Sequence, residues 1–422
     1  MYQNIYRANE YKCKERKNMN TDGKKCLRAL TQADLEHINQ ILSGLNSELQ
    51  NQFAVLADAI SHEQVRYLVE DVYSLGKLRD VYEIFGGYIN RSFGAVVEKD
   101  GKQQDYFVRK YKLGATDADV KVEHDLIRYA VEHGMTEISN VYLTPQGKTS
   151  CHMTEVIDGK ITDRIFAIYQ FLPGEDRYTW IDTNMTPQED MSYGEMLASF
   201  HSCVNGFDPG LKAEPPIVTL LHDFQSSFPH KCDGLSDNNQ FKKLWEENLD
   251  LMLSTCRSEE AFFNRPDMKA LPVCACHCDF HPGNVKWEKD RCTSVFDLDW
   301  SKLDKRLYDV ALGTLYACSS WNSADNGALH LERIRNVLQG YDCRLRDGGI
   351  SRFTDEEIEA FPHMMTAAAV YLLSWSSSYC DDAAAMNEYE YFYYLSHCLN
   401  ALDQTRQHAQ ELSDIMRTVR ES

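Results

Sequence analysis

The chain has 422 residues, enough for two or three domains of about 150 residues and for a large hydrophobic core without disulfide or metal support. Asp and Glu number 64 against 44 Lys and Arg, and the formal charge of −20 argues against nucleic acid or an anionic membrane as the main partner. Hydrophobic residues at 43% and aromatic residues at 11% are typical of a globular protein.

No membrane or secretory segment is predicted. Residues 1–18 are polar and charged, and the longest apolar stretch, Met364 to Trp375, is too short to span a bilayer. We therefore expect a soluble, cytoplasmic protein whose 14 cysteines are mostly reduced thiols that fill the core. The sequence leaves open whether it is a monomer or a homodimer.

Hydrophobic periodicity predicts four regions in chain order. They are a flexible tail (1–28), an N-terminal helical extension (29–76), a small sheet-rich lobe (77–175) and a larger helical lobe (176–422). The fold class is therefore α+β, with a small antiparallel sheet followed by a mainly helical region.

The small lobe is predicted from alternating apolar residues and turn signals. A capping box at Ser61 opens a helix that ends near Gly76. The predicted strands are Val81–Phe85, Phe93–Val97, Tyr106–Tyr111, about Thr149–Glu155 and Ile165–Leu172, with a helix at Thr116–Gly134. Beyond Pro173 the predicted helices are about Pro187–Val204, Asn239–Cys256, Ala328–Gly340, Thr354–Ser378 and Glu388–Arg420.

The most informative motif is His277-Cys-Asp279-Phe-His281-Pro-Gly-Asn284, which follows an apolar run. A second apolar run leads into Asp297-Leu-Asp299-Trp300. Phosphoryl transfer needs a carboxylate that takes the proton of the attacking hydroxyl, and an amide oxygen and a second carboxylate that hold Mg²⁺ on the phosphates. The ordered combination of Asp279, Asn284 and Asp297 matches the catalytic-loop pattern of kinases.

Further segments strengthen this pattern. They are Gly86-Gly87 between two predicted strands, the basic pair Arg109-Lys110 on the third strand, Glu123 on the helix, Tyr169 to Glu175 after the last strand, and Arg306-Leu-Tyr-Asp309-Val-Ala. With these segments the chain resembles the aminoglycoside phosphotransferase and choline kinase-like phosphotransferase family, and most closely its small-molecule kinases of the homoserine kinase II type. The resemblance covers about residues 65 to 400.

The resemblance implies a protein-kinase-like two-lobe fold, with ATP and Mg²⁺ as cofactors and a small molecule with a hydroxyl group as acceptor. Asp279 is then the catalytic base, and Asn284 and Asp297 are the metal ligands. The implied nucleotide-binding residues are Gly86, Gly87, Asn90, Arg91, Ser92, Arg109, Glu123, Gln170 and Leu172. His277 and Asp309 support the catalytic loop, whereas Asp299, Trp300 and His281 are candidates for contact with the acceptor.

Some alternatives stay open. Lys110 competes with Arg109 as the phosphate-binding base, although the register favours Arg109. Asp299 competes with Asp297 for the metal, since two positions two apart on a strand share a face. Cys278 stands where the family usually has glycine, at a position without a chemical role. The acidic, tyrosine-rich segment 375–394 is either an acceptor-side wall or an ordinary packed helix.

Two other functions were weighed against the kinase. A nucleotide-binding pseudokinase or regulatory module is disfavoured because Asp279, Asn284 and Asp297 are all present. Zinc binding by Cys274, Cys276, His277, Cys278 and His281 is disfavoured because the cysteine spacing is not that of a zinc knuckle and no second Cys-x-x-Cys pair follows. The acceptor itself is undetermined among amino alcohols, amino acids, amino sugars and aminoglycosides.

Overall fold

The computed structural model describes residues 60–84, 90–157, 160–209, 215–348, 351–380 and 388–422. The predicted tail, the extension up to residue 59, and the pair Gly86-Gly87 lie outside the described residues. The side chains of 156, 157, 160, 347, 348, 379 and 388 are likewise not described.

Strands and helices follow one another in the predicted order. The strands are β1 (Lys77–Ile84), β2 (Arg91–Lys99), β3 (Lys102–Lys110), β4 (Cys151–Ile157), β5 (Lys160–Gln170), β6 (Val273–Cys276), β7 (Val285–Glu288), β8 (Arg291–Val295) and β9 (Lys302–Lys305). The helices are α1 (His62–Arg66), α2 (Asp117–Glu132), α3 (Pro187–Cys203), α4 (Ile217–Ser227), α5 (Gln240–Phe263), α6 (Pro266–Lys269), α7 (Arg306–Cys318), α8 (Leu331–Gly348), α9 (Asp355–Ser376), α10 (Glu388–Gln407) and α11 (Ala409–Glu421).

The first five strands form one antiparallel sheet in the order β1-β2-β3-β5-β4. Its register places Ser92 opposite Arg109, and Arg109 opposite Ala167 on β5. Because neighbouring side chains on a strand point to opposite faces, Arg109 and Lys110 are separated by the sheet. Arg109 lies toward the helical region, whereas Lys110 lies on the face covered by α1.

The N-terminal helix α1, extended by a π-helical turn (Tyr67–Val72), packs on the outer face of the sheet. Its start is the predicted capping box: the Ser61 side chain accepts from the Gln64 amide, and the Gln64 side chain accepts from the Ser61 amide. The apolar residues of this segment and of the sheet form one buried cluster. It includes Ile60, Val65, Leu68 and Val69 from the segment and Phe93, Val108, Phe166 and Ile168 from the sheet. The segment from residue 60 is therefore part of the small lobe.

The helical region is held together by close backbone contacts. At the crossing of α3 and α8, a Cβ added to Gly340 would lie 1.9 Å from the Met191 carbonyl oxygen, and one added to Gly194 would lie 2.0 Å from the Val337 carbonyl oxygen. Both helices therefore need glycine where they touch. The Tyr193 hydroxyl of α3 donates to the Phe280 carbonyl, so this packing holds α3 against the loop that follows β6.

Two short antiparallel ribbons, β6 with β9 and β7 with β8, carry those loops. The loop 277–284 runs from β6 to β7, and the loop 296–301 runs from β8 to β9. The β7–β8 ribbon is nested between β6 and β9 along the chain. The two loops meet where His277 contacts the Phe296 carbonyl, and Asp297 of the second loop reaches Arg109 on β3. The antiparallel sheet followed by a helical region confirms the predicted fold class.

The structure differs from the prediction in several elements. Helix α4 was not predicted, and the last predicted helix is two helices, α10 and α11, that break at His408. Asp297 and Asp299 lie in a loop, so the strand argument that they share a face was wrong. Within the described residues, none of the helices is long and apolar enough to cross a membrane.

Candidate active site

The loop 277–284 is anchored by helix α7. The amide groups of His277 and Cys278 donate to the two carboxylate oxygens of Asp309, at 2.6 and 2.8 Å. The His277 ring nitrogen Nε2 lies 3.0 Å from the Phe296 carbonyl oxygen and so joins this loop to the neighbouring one. Both residues predicted to support the loop therefore contact its backbone.

Cys278 has a left-handed backbone conformation, with φ of 64°. Residues with a side chain rarely adopt this region, which favours glycine. The conformation turns the chain between His277 and Asp279 so that these two side chains leave the loop in different directions. The presence of cysteine here costs conformational energy but leaves the turn intact.

Asp279 is bonded at both carboxylate oxygens. The Asn284 amide nitrogen donates to Asp279 Oδ2 at 3.1 Å and to the Asp279 carbonyl at 2.9 Å. The Tyr316 hydroxyl donates to Oδ1 at 3.2 Å. Because Asn284 uses its nitrogen on Asp279, its amide oxygen is directed elsewhere and can serve as a metal ligand.

Arg109 lies between two acids from different parts of the chain. Its Nη1 is 3.1 Å from Glu123 Oε1 on α2, and its Nη2 is 2.8 Å from Asp297 Oδ1. Arg109 is 5% exposed, and its Nε is buried without a hydrogen-bond partner among the described residues. A buried guanidinium donor of this kind fits an anionic ligand.

Lys110 is engaged on the opposite face of the sheet. Its ammonium group lies 2.9 Å from Glu155 Oε1, which also accepts from Gln64 Nε2 at 2.7 Å. Lys110 is 1% exposed. This placement favours Arg109 over Lys110 as the base that faces the site.

Glu123 is fixed by further buried groups. It accepts from the hydroxyl groups of Tyr111 at 2.7 Å and Tyr169 at 3.0 Å, and His124 Nε2 lies 2.8 Å from the Tyr169 hydroxyl. Burial raises the pKa of Glu123, while Arg109 opposes that rise. The tyrosines and Arg109 together hold this carboxylate in one position.

The second loop reaches the small lobe through Asp299. The Asn90 side chain donates to Asp299 Oδ2 at 2.8 Å and accepts from the Lys112 amide at 2.9 Å. Asp297 has φ of 68°, so the chain turns sharply at this residue. The turn directs the Asp297 side chain to Arg109 and the Asp299 side chain to Asn90. The two acids that were both candidates for the metal therefore have different partners.

Several carboxylates lie close together at this site, and their charges shift the pKa values of neighbouring groups. Burial, then Asp297 and then Asp299, raise the pKa of Asp279 well above its usual range. Burial and Asp297 raise the pKa of Asp299 to about 7. Burial alone would lower the pKa of Arg109, but Asp297 and Glu123 raise it well above its usual value. Such a concentration of acid attracts cations.

The remaining predicted residues lie around this centre. Arg91 pairs with Glu83 across β1 and β2, and Ser92 follows it on β2. The Gln170 amide donates to the Asn140 carbonyl at 2.7 Å, and the Gln170 carbonyl accepts from the Ser139 hydroxyl at 2.8 Å. The Gln170 backbone is thus already bonded within the protein, and Leu172 is buried just beyond β5.

His281 and Trp300 lie beside the two loops. His281 Nε2 is 3.8 Å from Asp279 Oδ2, and its ring lies 5.5 Å from that of Tyr316. Its Nδ1 accepts from the Gly283 amide at 3.0 Å, and burial lowers its pKa to about 3. Trp300 is half-buried against the core.

An aromatic cluster lies next to the loop 277–284. The Trp180 ring is 5.1 Å from Trp321, 5.5 Å from Trp375 and 4.8 Å from Tyr394, measured between centroids. The position of a Cβ on Gly283 is 3.2 Å from Thr179 Cα, so the residue before Trp180 touches this loop. The aromatic part of segment 375–394 therefore packs within the fold near the candidate site.

The cysteines of β6 are packed and do not form a ready metal site. Cys274, Cys276 and His201 lie with their ligand atoms within 4.8 Å of one another. Both His201 ring nitrogens are already used, at 2.7 Å from the Tyr341 hydroxyl and 2.9 Å from Asp309 Oδ2. This hydrogen bonding favours the core-filling interpretation of the cysteines.

Sequence reasoning missed Tyr316, whose hydroxyl contacts Asp279. The signal was its spacing: Tyr316 lies seven residues after Asp309 on α7, so both project from one face two turns apart. It also missed the contact between Asn90 and Asp299, because nothing in the sequence indicates that residues 209 positions apart are in contact.

Comparisons with known proteins extend these observations. A model of the phosphotransferase enzyme family matches residues 81–344. A homoserine kinase from Ralstonia nicotianae is 25% identical over 308 residues, which are 70% of this chain and 80% of that protein.

Two solved structures are similar to this fold. A spectinomycin phosphotransferase in complex with ADP and spectinomycin gives a TM-score of 0.55 at 17% identity, over 82% of this chain and 99% of that one. A microcompartment-associated aminopropanol kinase gives 0.56 at 14% identity, over 83% and 98% of the two chains. At these identities the two structures establish the fold alone, and it is the two-lobe, kinase-like fold that the sequence predicted.

Proposed function

This chain belongs to the phosphotransferase enzyme family and is a small-molecule kinase that phosphorylates a hydroxyl group, and from that premise we propose that it transfers the γ-phosphate of ATP, with Mg²⁺, to an acceptor that carries an amine. The observation that carries the proposal is the meeting of Arg109, Asp297 and Asp279 at one place, from three separate parts of the chain. The steps below assign a task to each residue.

We assign the triphosphate to the inner face of the sheet. Arg109, held by Glu123, binds phosphate oxygens, and its buried Nε is an available donor. We propose that Asn90, Arg91 and Ser92 contribute to covering the phosphates, a role the family resemblance also gives to Gly86 and Gly87, which lie outside the described residues. Adenine is held by backbone groups after β5, where the bonds already made by Gln170 favour Leu172.

The donor atoms near Asp279 fit a hard divalent cation. Asn284 offers an amide oxygen and Asp297 a carboxylate, and oxygen ligands of this kind suit Mg²⁺. We propose these two residues as its ligands. The bound ion supplies positive charge that offsets the phosphates and the nearby acids during transfer.

Asp279 acts on the acceptor. Its carboxylate orients the attacking hydroxyl and accepts its proton as the new bond to phosphorus forms. Asn284 and Tyr316 fix the two oxygens of this carboxylate, so the base does not need to reorganise during the reaction. His277 and Asp309 hold the loop that presents it.

An acceptor with an amine is supported by the charge of the site. The Asp297 charge raises the pKa of both Asp279 and Asp299, and acids this close together favour a cationic group nearby. The relatives named above phosphorylate homoserine, aminopropanol and spectinomycin by their names. His281, Asp299 and Trp300 remain the candidate contacts for this acceptor.

The pseudokinase alternative gains no support. The relatives reported above carry the names of active kinases. A zinc-binding function is also not favoured, since the hydrogen bonds of His201 occupy the nitrogens that a metal would need.

The test is a coupled ADP-release assay against amino alcohols, hydroxy amino acids, amino sugars and aminoglycosides. We expect one of these classes to accelerate ADP release over the rate with ATP alone, and Asp279→Asn to reduce kcat by about 10²–10⁴-fold. Asp414→Asn, which alters an exposed acid on α11, is the control and should keep full activity. A purified protein that binds nucleotide but responds to none of these acceptors would contradict the proposal.

A further inference from the structure

Two thiols meet where helix α9 ends. Cys380 closes a 3₁₀ turn (Ser377–Cys380) that follows α9. Cys232 lies in the turn between α4 and α5, just after a 3₁₀ turn (Phe228–His230). Their sulfur atoms are 3.7 Å apart, although the residues are 148 positions apart in the chain. Neither cysteine forms a disulfide in the structure.

We propose that Cys232 and Cys380 are a modification site at which an oxidant forms a reversible disulfide that ties the α4–α5 turn to the end of α9. A disulfide bond is about 2 Å long, so the sulfurs must approach by less than 2 Å. Both residues lie in turns, where a change of side-chain rotamer and a small backbone shift can provide that movement.

The two cysteines differ in access. Cys232 is 4% exposed and belongs to the core, whereas Cys380 is half-buried and reachable from the surface. The hydrogen bond with Cys380, followed by burial, raises the pKa of Cys232 above the usual range. Cys380 is therefore the first thiol to react, and Cys232 is the second.

The chemistry balances with glutathione disulfide as oxidant. The Cys380 sulfur attacks one sulfur of glutathione disulfide and releases one glutathione, which takes the Cys380 proton. The Cys232 sulfur then attacks the mixed disulfide at Cys380, which forms the protein disulfide and releases a second glutathione with the Cys232 proton. Two electrons pass from the protein thiols to the oxidant, and dithiothreitol reverses the change.

The cysteines of β6 lack this combination of one buried and one half-buried thiol. Cys274 and Cys276 lie on β6 inside the core, where the Cys276 thiol donates to backbone carbonyl groups. Cys203, at the end of α3, is half-buried like Cys380 and provides a matched control.

The test treats the full-length protein with glutathione disulfide and maps its peptides by mass spectrometry without reduction. We expect a peptide that links Cys232 to Cys380, a loss of two free thiols, and a rise in Tm of roughly 5 °C that dithiothreitol reverses. Cys232→Ser and Cys380→Ser should each abolish the linked peptide and the rise in Tm, and Cys203→Ser should keep both.

Two results would overturn the proposal. One is oxidation of the wild-type protein at other cysteines without a linked Cys232–Cys380 peptide. The other is a rise in Tm that persists unchanged in Cys380→Ser. The peptide map needs only the wild-type protein, so the proposal remains testable even where a serine variant folds poorly.

Discussion

Asp279 receives a hydrogen bond on each carboxylate oxygen, and the two donors come from different elements. Asn284 belongs to the same loop and was predicted from the motif, whereas Tyr316 belongs to α7 and was not. The hydroxyl of Tyr316 approaches the oxygen that Asn284 leaves open. Tyr316 is thus placed to position the base proposed for phosphoryl transfer.

We predict that Tyr316→Phe lowers kcat about 10-fold and leaves KM for ATP nearly unchanged. The variant removes one hydrogen bond to a charged group, which contributes on the order of 1.5 kcal/mol, and leaves the ring packing intact. Steady-state kinetics with varied ATP and acceptor measure the two effects separately.

Tyr129→Phe is the matched control, because it removes a hydroxyl that donates to the Asn205 carbonyl at 3.0 Å on another surface. It should leave kcat unchanged. An unaltered kcat in Tyr316→Phe would remove Tyr316 from the positioning role.

At the scale of secondary-structure elements, α7 organises the loop 277–284. Asp309, Gly313 and Tyr316 follow one another at helical spacing and face that loop. A Cβ on Gly313 would lie 3.2 Å from the Phe280 carbonyl oxygen, so the loop rests directly on the helix. One helix face therefore binds the loop backbone at Asp309 and the side chain of Asp279 at Tyr316.

Helix α3 supports this arrangement through His201, which contacts Asp309. His201 is buried among Tyr341 of α8, Asp309 of α7, and Cys274 and Cys276 of β6. Burial alone would lower the pKa of His201, but Tyr341 and Asp309 raise it from 6.5 to about 9. The folded protein therefore keeps this proton at pH values where the unfolded chain has lost it.

We predict that the free energy of unfolding falls by on the order of 3 kcal/mol between about pH 6.5 and about pH 9 because of His201. The contribution is complete below the unfolded pKa and is lost as the pH rises through the folded one. His201→Gln should flatten this part of the pH dependence measured by denaturant unfolding. His133→Gln, at an exposed position, should keep the wild-type slope, and an equal slope in all three proteins would contradict the assignment.

At the scale of the whole molecule, the sheet and the helical region are joined across the candidate site by polar contacts. Arg109 reaches Asp297, and Asn90 reaches Asp299. Both contacts involve residues proposed to bind phosphate or to lie near the metal. Ligand binding in the cleft and the association of the two lobes should therefore be coupled.

We predict that ATP with Mg²⁺ raises Tm more than ATP or Mg²⁺ alone. A ligand that binds only the folded state stabilises it by about 2.7 kcal/mol at 100 times its Kd. Asp297→Asn should lose the part of the shift that depends on Mg²⁺ and keep the part due to ATP alone. Differential scanning fluorimetry at fixed protein concentration makes this measurement, and a full Mg²⁺-dependent shift in Asp297→Asn would exclude Asp297 as a ligand.

Much of the fold was predictable because local patterns specify local structure. The capping box at Ser61, the strands around Arg109 and the helix after Thr116 form as expected. Helix α4 was missed although its buried residues Ile217, Leu221 and Phe224 recur at helical spacing, because it is short and no side-chain cap marks its start. The loop at Asp297 was misjudged as a strand, because a left-handed residue other than glycine leaves no sign in the sequence.

The sequence by itself determined the fold class and selected Asp279, Asn284 and Asp297 as candidate site residues, because these depend on short-range spacing and residue chemistry. Only the tertiary structure decided that Arg109 faces the site while Lys110 turns away, that Asp297 and Asp299 have different partners, and that Tyr316 reaches Asp279. It also brought Cys232 to Cys380. The physical reason is that such contacts join residues far apart in the chain, and their geometry is set by the packing of strands and helices.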